Sequence, residues 1–231
     1  WQDQAYTYAH ILSRITEWEQ KMHDIKAGHI VALESDFSPE TIAILFVLIS
    51  RGAILVPLDI HHRDKNAGKM AIAQIDFVIR VHAENDIQIE RTAAIDPKNA
   101  LYNELLQTGT PGLVLFTSGS SGEPKGALHD FSKLLAKFTV KRKALRTVNF
   151  LLFDHWGGLN TLFHILSNGG VVVILEKRTP DYVCELIEKY KVELLPTSPT
   201  FLNMLVLSRA YERYSLKSLQ VISYGAEPMP E

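Results

Sequence analysis

A run of glycines and hydroxyl residues stands near the middle of the chain. Thr117 to Gly126 reads TSGSSGEPKG and directly follows the apolar residues LVLF. Its glycines let the backbone turn tightly and approach a ligand without a Cβ, and successive N–H groups of such a loop can surround an anion. With the hydroxyl groups and the positive charge of Lys125 beside them, these residues predict a loop that binds a polyphosphate.

The order of residues in this run distinguishes it from two other phosphate-binding motifs. A Walker loop has a glycine directly before its lysine, where this chain has Pro124. The glycine spacing is not GxGxxG, which weakens a dinucleotide interpretation. Composition alone is equally compatible with a flexible loop that binds nothing.

A second group of candidate residues lies in the segment 151–158, which reads LLFDHWGG. The neighbours Asp154 and His155 could form a hydrogen-bonded pair or orient a substrate carboxylate. An isolated histidine is more often structural or exposed than functional. The pair is therefore a candidate whose role depends on its surroundings.

The elements that must position these residues alternate between two periodicities. Short continuous runs of Val, Ile and Leu lie between segments with helical spacing, which predicts parallel strands covered on both faces. The predicted fold class is α/β, with two similar lobes of mostly parallel sheets covered by helices, at residues 1–110 and 111–231. Residues 83–112 are interpreted as a polar connector that holds a short strand at Ile87–Ile89. A helix is predicted over Phe131–Lys143 and a strand over Phe150–Phe153.

Composition excludes several classes of partner. The formal net charge is −2 and no block of like charge is present, which argues against a nucleic-acid or anionic-membrane surface. The longest apolar stretch, residues 41–50, is about half the ~20 residues that span a bilayer, so no membrane insertion is predicted. The single cysteine, Cys184, excludes an intramolecular disulfide and suits the cytoplasm. No secretory signal is evident at the N-terminus, and both ends of the chain read as cuts.

The exact order TSGSSGEPKG resembles the phosphate-binding signature of the adenylate-forming superfamily. This superfamily comprises AMP-dependent acyl- and aryl-CoA synthetases, luciferases and the adenylation domains of peptide synthetases. Four more segments resemble its motifs in the same order, so that the resemblance covers nearly the whole chain. They are SRGAILVPLD at 50–59, LLFDHWGG at 151–158, VELLPTSPT at 192–200 and SYGAEPMP at 223–230.

The resemblance implies roles for three sets of residues. The ATP phosphates would be bound by Thr117, Ser118, Gly119, Ser120, Ser121, Gly122 and Lys125. The adenine would be flanked by Gly225, Ala226, Glu227 and Pro228. The acid pocket would include Asp154, His155, Trp156 and Gly158. Mg²⁺ is expected with the ATP, although no cluster of metal-ligating residues is evident among these positions.

The implied reaction joins a carboxylic acid to ATP as acyl-AMP, followed by transfer to the thiol of coenzyme A or of a carrier protein's phosphopantetheine. The superfamily's Tyr-Gly-x-Thr-Glu motif and its C-terminal domain, with the adenylating lysine, have no counterpart in residues 1–231. No catalytic residue is therefore predicted here, and this part alone is expected to be inactive.

Three alternatives remain open at this stage. An Asp in the pocket segment pairs with the substrate ammonium in amino-acid adenylation domains, so Asp154 leaves an amino-acid substrate possible. The others are a non-catalytic nucleotide-binding or scaffolding module, and a nucleotide hydrolase or phosphotransferase.

Overall fold

The computed structural model describes residues 1–82, 86–93, 95, 97–118 and 123–225. These residues form two compact units, each of them α/β. The first unit comprises the described residues of Ala5–Lys137 together with Leu152–Trp156. The second comprises Trp1–Gln4, Phe138–Leu151 and the described residues from Gly157 onward.

The first unit is built on a six-stranded sheet. Its strands are β1 (Ile30–Ser35), β2 (Ile54–Asp59), β3 (Phe77–Val81), β4 (Ile87–Arg91), β5 (Gly112–Ser118) and β6 (Pro124–Asp130). The strand order is β4-β3-β1-β2-β5-β6. The four central strands run parallel, whereas β4 and β6 are antiparallel to their neighbours. All residues of β1 and β2 are buried, as expected for apolar runs covered on both faces.

Helices flank this sheet, and four of the five begin at a residue whose side chain caps the helix. They are α1 (Tyr8–Lys21), α2 (Pro39–Ser50), α3 (Arg63–Ala73), α4 (Ala100–Thr108) and α5 (Phe131–Leu135). At the start of α2, the Ser38 hydroxyl accepts the N–H of Thr41, and Pro39 occupies a first-turn position that needs no N–H donor. Among the described residues, no helix has both the length and the apolar character required to cross a bilayer.

The second unit has a parallel four-stranded sheet of order β10-β9-β7-β8. Its strands are β7 (Arg146–Asn149), β8 (Val171–Ile174), β9 (Leu194–Thr197) and β10 (Val221–Tyr224), and its helices are α6 (Trp156–Ser167), α7 (Pro180–Tyr190) and α8 (Pro199–Ser208). Cys184 of α7 lies in the apolar core with 0% exposure. Burial raises the pKa of this thiol to about 11, which makes it a packing residue rather than a nucleophile.

The α/β prediction is confirmed, but several elements differ from the sequence analysis. Helix α4 and strand β6 were missed. The first lies in the presumed connector and buries Tyr102 and Leu105, three positions apart on one face. The second reads PKGALHD, which lacks the β-branched residues that usually mark a strand. The short strand expected near Ile87 is present as β4.

Two predicted elements were misplaced. The helix expected over Phe131–Lys143 is only α5 followed by a 3₁₀ turn at Ala136–Thr139, since the basic residues beyond it offer no apolar face to bury. The strand expected over Phe150–Phe153 lies earlier, at β7. The apolar character of Phe150 and Phe153 reflects packing into a core rather than membership of a strand. The Phe150 ring lies 4.4 Å from that of Phe201 in the second unit, and the Phe153 ring 5.3 Å from that of Phe37 in the first.

The division into units also differs from the predicted boundary after residue 110. Strand β5 pairs with β2, where Ile54 lies opposite Gly112, so residues 112–130 complete the first sheet. Residues 152–156 belong to the first unit as well, although the chain before and after them belongs to the second. The assignment of residues 152–156 to the first unit depends on contacts with residues distant in the chain, which composition does not reveal.

A buried carboxylate ties α1 to α2. Glu40 Oε1 accepts a hydrogen bond from Arg14 Nε at 2.7 Å, and Oε2 accepts from Arg14 Nη2 at 2.9 Å and from Trp18 Nε1 at 2.7 Å. Glu40 and Trp18 are 7% and 5% exposed. Because the two oxygens of this carboxylate accept three hydrogen bonds, two of them from the Arg14 guanidinium, the helix pair buries the charge of Glu40 without leaving it uncompensated.

Replacing Glu40 with Ala should lower the free energy of unfolding by about 2–3 kcal/mol, because Trp18 Nε1 and Arg14 lose their buried acceptor. Glu17→Ala is the matched control, since Glu17 is the other, half-exposed partner of Arg14 and should cost less than about 0.5 kcal/mol. Urea unfolding followed by circular dichroism measures both values. Equal losses in the two variants would contradict the assigned role of Glu40.

Candidate functional site

The glycine–serine loop closes a β-hairpin at one side of the first sheet. In the antiparallel pairing of β5 with β6, Thr117 lies opposite Lys125 and Ser118 opposite Pro124. Thr117 and Lys125 are both exposed, so they flank the loop with a hydroxyl and an ammonium group open to solvent. The remaining predicted phosphate contacts lie outside the described residues: Gly119, Ser120, Ser121 and Gly122.

Close packing at the base of the hairpin explains why the motif ends in a glycine. Gly126 lies opposite Phe116 in the ladder. A Cβ at position 126 would lie 3.2 Å from Val114 Cγ1 and 3.3 Å from Phe116 Cε1, which is closer than most carbon contacts. Glycine there allows the Phe116 ring to pack against the neighbouring strand, directly before the loop begins.

The loop leaves the sheet at the end where the carboxyl termini of the parallel strands lie. Strand β1 ends at Ser35, β2 at Asp59 and β5 at Ser118. In open α/β sheets, ligands bind at the carboxyl ends of the strands. The hairpin therefore lies on the side of the sheet where a binding site is expected.

Asp154 belongs to the segment 152–156 of the first unit and has two basic neighbours, a histidine and a lysine. Its Oδ1 lies 2.7 Å from Nδ1 of His155, and its Oδ2 lies 3.5 Å from Nζ of Lys69 on α3. The Asp154 side chain is only 10% exposed and that of Lys69 18%, whereas that of His155 is 61% exposed. The carboxylate is thus enclosed and paired, while the imidazole faces solvent.

These contacts shift the pKa values of both acid–base groups. Burial alone would raise the pKa of Asp154, but the hydrogen bond from His155 and the positive charges of His155 and Lys69 outweigh it, so the pKa lies below its ordinary value. The hydrogen bond to Asp154 raises the pKa of His155, against the opposing effects of burial and of the Lys69 charge. Asp154 is therefore ionised at neutral pH, and the protonated form of His155 is favoured.

A second pair of the same kind lies at the end of β2. Asp59 Oδ2 lies 2.7 Å from His62 Nδ1, and its Oδ1 accepts the backbone N–H of His61 at 2.8 Å. The Asp59 charge also contributes to the raised pKa of His155. Sequence reasoning treated this segment as a helix–strand junction and missed the pair. Its one available signal was an Asp followed closely by two histidines.

The other two predicted pocket residues have different surroundings. The Trp156 ring lies 5.1 Å from Nζ of Lys137, within the range of a cation–π contact. Gly158 is buried in the first turn of α6 and belongs to the second unit. The structure thus brings Asp154 and His155 together and places Trp156 on the same short segment.

The predicted adenine-binding loop begins where β10 ends. Gly225 follows Tyr224 directly and is exposed, and no atom lies within 4 Å of the position that a Cβ would take there. The rest of this predicted set lies outside the described residues: Ala226, Glu227 and Pro228.

Lys69 is the residue that sequence reasoning most clearly missed. It stands on α3, far from Asp154 in the sequence, and its Nζ also lies 5.9 Å from the ring centroid of Phe116. Nothing in the local pattern of α3 marks it, because its two neighbours come from other parts of the chain. Within the described parts of the chain, no group of three or more His, Cys, Asp or Glu side chains has the arrangement of a metal site.

Comparison with known proteins places these features in context. The family model described as AMP-binding enzyme matches residues 1–231. The chain is 29% identical over 229 residues to indoleacetate–CoA ligase of Aromatoleum aromaticum, a match that covers 84% of this chain and 44% of that protein. It is 23% identical over 237 residues to Trichosetin synthetase PKS-NRPS1 of Gibberella fujikuroi, covering 93% of this chain and 6% of that protein. The chain therefore spans less than half of these relatives.

A solved structure agrees with the fold. The N-terminal domain of FACL13 from Mycobacterium tuberculosis, described with a bound inhibitor, superposes with a TM-score of 0.79 at 18% identity. The match covers all of this chain and 65% of that one. The α/β architecture is thus that of the N-terminal domain of acyl-CoA-synthetase-like proteins.

The pKa of His155 should lie above its ordinary value of 6.5 and should fall in an Asp154→Asn variant, where burial and Lys69 act unopposed by the carboxylate. NMR titration of the imidazole measures both values. Asp24→Asn is the control, since Asp24 is an exposed carboxylate beside a different histidine, and it should leave the titration of His155 unchanged. An unshifted His155 in Asp154→Asn would contradict the pairing.

The same pair has a consequence for stability. A histidine with a raised folded-state pKa contributes stability that is present below pH 6.5 and lost as the pH rises through the folded pKa. Denaturant unfolding of the wild-type protein should therefore show this loss as the pH rises above 6.5, and Asp154→Asn should reduce it. The same pH dependence in both proteins would assign it to other groups.

Proposed function

The chain belongs to the AMP-binding enzyme family, and we propose that it forms the ATP- and acid-binding part of a ligase that activates a carboxylic acid as its acyl adenylate. The observation that carries the proposal is the placement of TSGSSGEPKG. The motif leaves the sheet at the carboxyl end of β5, and the pairing of Thr117 with Lys125 holds its two ends. The match to indoleacetate–CoA ligase supports the same class of reaction.

We assign the phosphates of ATP to this loop. Backbone N–H groups and hydroxyls of a tight loop donate to phosphate oxygens, and Lys125 adds a point charge. The exposed positions of Thr117 and Lys125 support this role. The assigned set is Thr117, Ser118, Gly119, Ser120, Ser121, Gly122 and Lys125.

The adenine is assigned to the loop that follows β10. A glycine directly after a parallel strand allows the backbone to approach a planar base closely. The assigned set is Gly225, Ala226, Glu227 and Pro228. Mg²⁺ would arrive with ATP and bind mainly to its phosphate oxygens, as this ion commonly does.

The acid is assigned to a pocket that includes Asp154, His155, Trp156 and Gly158. In the first step, a carboxylate oxygen of the acid attacks the α-phosphorus of ATP, and the bond between this phosphorus and the bridging oxygen to the β-phosphate breaks. Pyrophosphate leaves with its negative charge, which the loop donors and Lys125 neutralise. The acid needs no general base, because its carboxylate is already ionised at neutral pH. Positioning of the two reactants therefore supplies much of the catalysis.

A thiol would then attack the acyl carbon and release AMP. Coenzyme A is the acceptor we favour, because the chain is similar to indoleacetate–CoA ligase, whose name specifies CoA as the acceptor. Phosphopantetheine on a carrier protein is the second acceptor, supported by the similarity to a PKS-NRPS protein. We place the reaction in the cytoplasm, where ATP is abundant and where the unpaired thiol of Cys184 is stable.

In the full-length protein, one class among fatty, aryl and amino acids should support exchange of label between pyrophosphate and ATP. Lys125→Ala should reduce the exchange rate by about a hundredfold, because the leaving pyrophosphate loses a neutralising charge. Lys133→Ala is the matched control and should remain within about twofold of wild type, since Lys133 is an exposed lysine on the following helix.

Two results would contradict the proposal. One is the absence of exchange with every acid although the protein is folded and complete. The other is the release of ADP instead of AMP when ATP is consumed, which would indicate a phosphotransferase or hydrolase. Binding of labelled ATP, measured separately by equilibrium dialysis, distinguishes a non-catalytic nucleotide-binding module from a chain that does not bind ATP.

A further inference from the structure

The charge of the proposed acid pocket is set by Lys69. Its ammonium group lies 3.5 Å from the Asp154 carboxylate, and both side chains are largely enclosed. The other oxygen of Asp154 already bonds to His155 at 2.7 Å. One oxygen of this carboxylate therefore faces the ammonium group of Lys69, and the other faces an imidazole whose protonated form the carboxylate favours.

This arrangement determines what Asp154 can bind. A carboxylate that is free in a pocket attracts an ammonium group, whereas one that is paired with a lysine presents no net negative charge. A substrate ammonium would have to displace Lys69 and would then lie beside the displaced ammonium group and the imidazole of His155. The protonated form of that imidazole is itself favoured by Asp154. Such a site disfavours a cationic substrate.

The position of Lys69 supports a role in the site rather than in general packing. The same ammonium group lies 5.9 Å from the ring of Phe116, the residue directly before the phosphate loop. Lys69 thus contacts the base of the loop and the acid-pocket segment at once. Lys65, one turn earlier on α3, is exposed and forms no ion pair within the described part of the chain.

We infer that Lys69 is a specificity-determining residue, and that the pocket takes a carboxylic acid with no ammonium group beside the carboxylate. The inference rests on the proposed function and deepens it. It decides between the two substrate classes that Asp154 left open, in favour of the acid without the amine.

The test compares matched pairs of acids that differ only in an α-ammonium group. Suitable pairs are 3-phenylpropanoate with phenylalanine, 3-(indol-3-yl)propanoate with tryptophan, and octanoate with 2-aminooctanoate. In the full-length wild-type protein, pyrophosphate exchange should favour the member without the amine. In Lys69→Met, the ratio of the two rates should move toward the amine by at least about tenfold, because Asp154 is then uncompensated.

Three further variants make the test specific. Lys65→Met removes an exposed lysine from the same helix and should leave the ratio unchanged. Lys69→Arg keeps the charge and should also keep the wild-type ratio. Adding Asp154→Asn to Lys69→Met should abolish the shift, since the free carboxylate is its cause. A purely structural role of Lys69 would change both rates of a pair together and leave their ratio constant.

An independent readout comes from His155. Because the charge of Lys69 lowers the pKa of His155, this pKa should rise in Lys69→Met and should stay unchanged in Lys65→Met. A folded Lys69→Met protein with an unchanged rate ratio would overturn the inference, as would a wild-type preference for the amine. Both results leave the proposed function standing, whereas no exchange with any acid would overturn the proposed function itself.

Discussion

The pairing of β5 with β2 on one side and with β6 on the other is the constraint on which the candidate site depends. It places the glycine–serine loop at the carboxyl end of a buried parallel strand and holds both ends of the loop by backbone hydrogen bonds. Strand pairing at both ends of the motif restricts where its glycines and hydroxyl residues can lie, which their own composition would not do, because glycine and serine restrict the backbone weakly. Gly126 contributes by leaving room for the Phe116 ring against the neighbouring strand.

Two aspartates, Asp59 and Asp154, lie near the carboxyl ends of the strands, and neighbouring side chains compensate the charge of each. Asp59 and Asp154 each hold a histidine at 2.7 Å. Asp154 differs from Asp59 in having a lysine partner as well, since Lys69 approaches its second oxygen. An enclosed carboxylate without such partners would be costly to ionise. The histidines remain exposed, so the compensation does not close the surface on which they lie.

Much of the fold could be predicted from the sequence. Buried parallel strands and amphipathic helices repeat at short, local periods, which is why β1, β2 and α7 were located from apolar spacing alone. The failures have equally local reasons. Strand β6 is polar and glycine-containing, and α4 has only a short apolar face. Phe150 and Phe153 were taken for a strand because an apolar run indicates burial without stating which kind of element is buried.

By itself the sequence determined the α/β class and indicated the phosphate-binding role that we propose for residues 117–126, because both inferences depend on residue types over a few neighbouring positions. The family relationship followed from the order of those residues. The tertiary structure decided that residues 112–130 complete the first sheet, that residues 152–156 return to the first unit, and that Lys69 meets Asp154. These contacts join segments that are distant in the chain. Local composition does not encode them, since they arise only when the strands have chosen their neighbours and the helices have packed against the sheet.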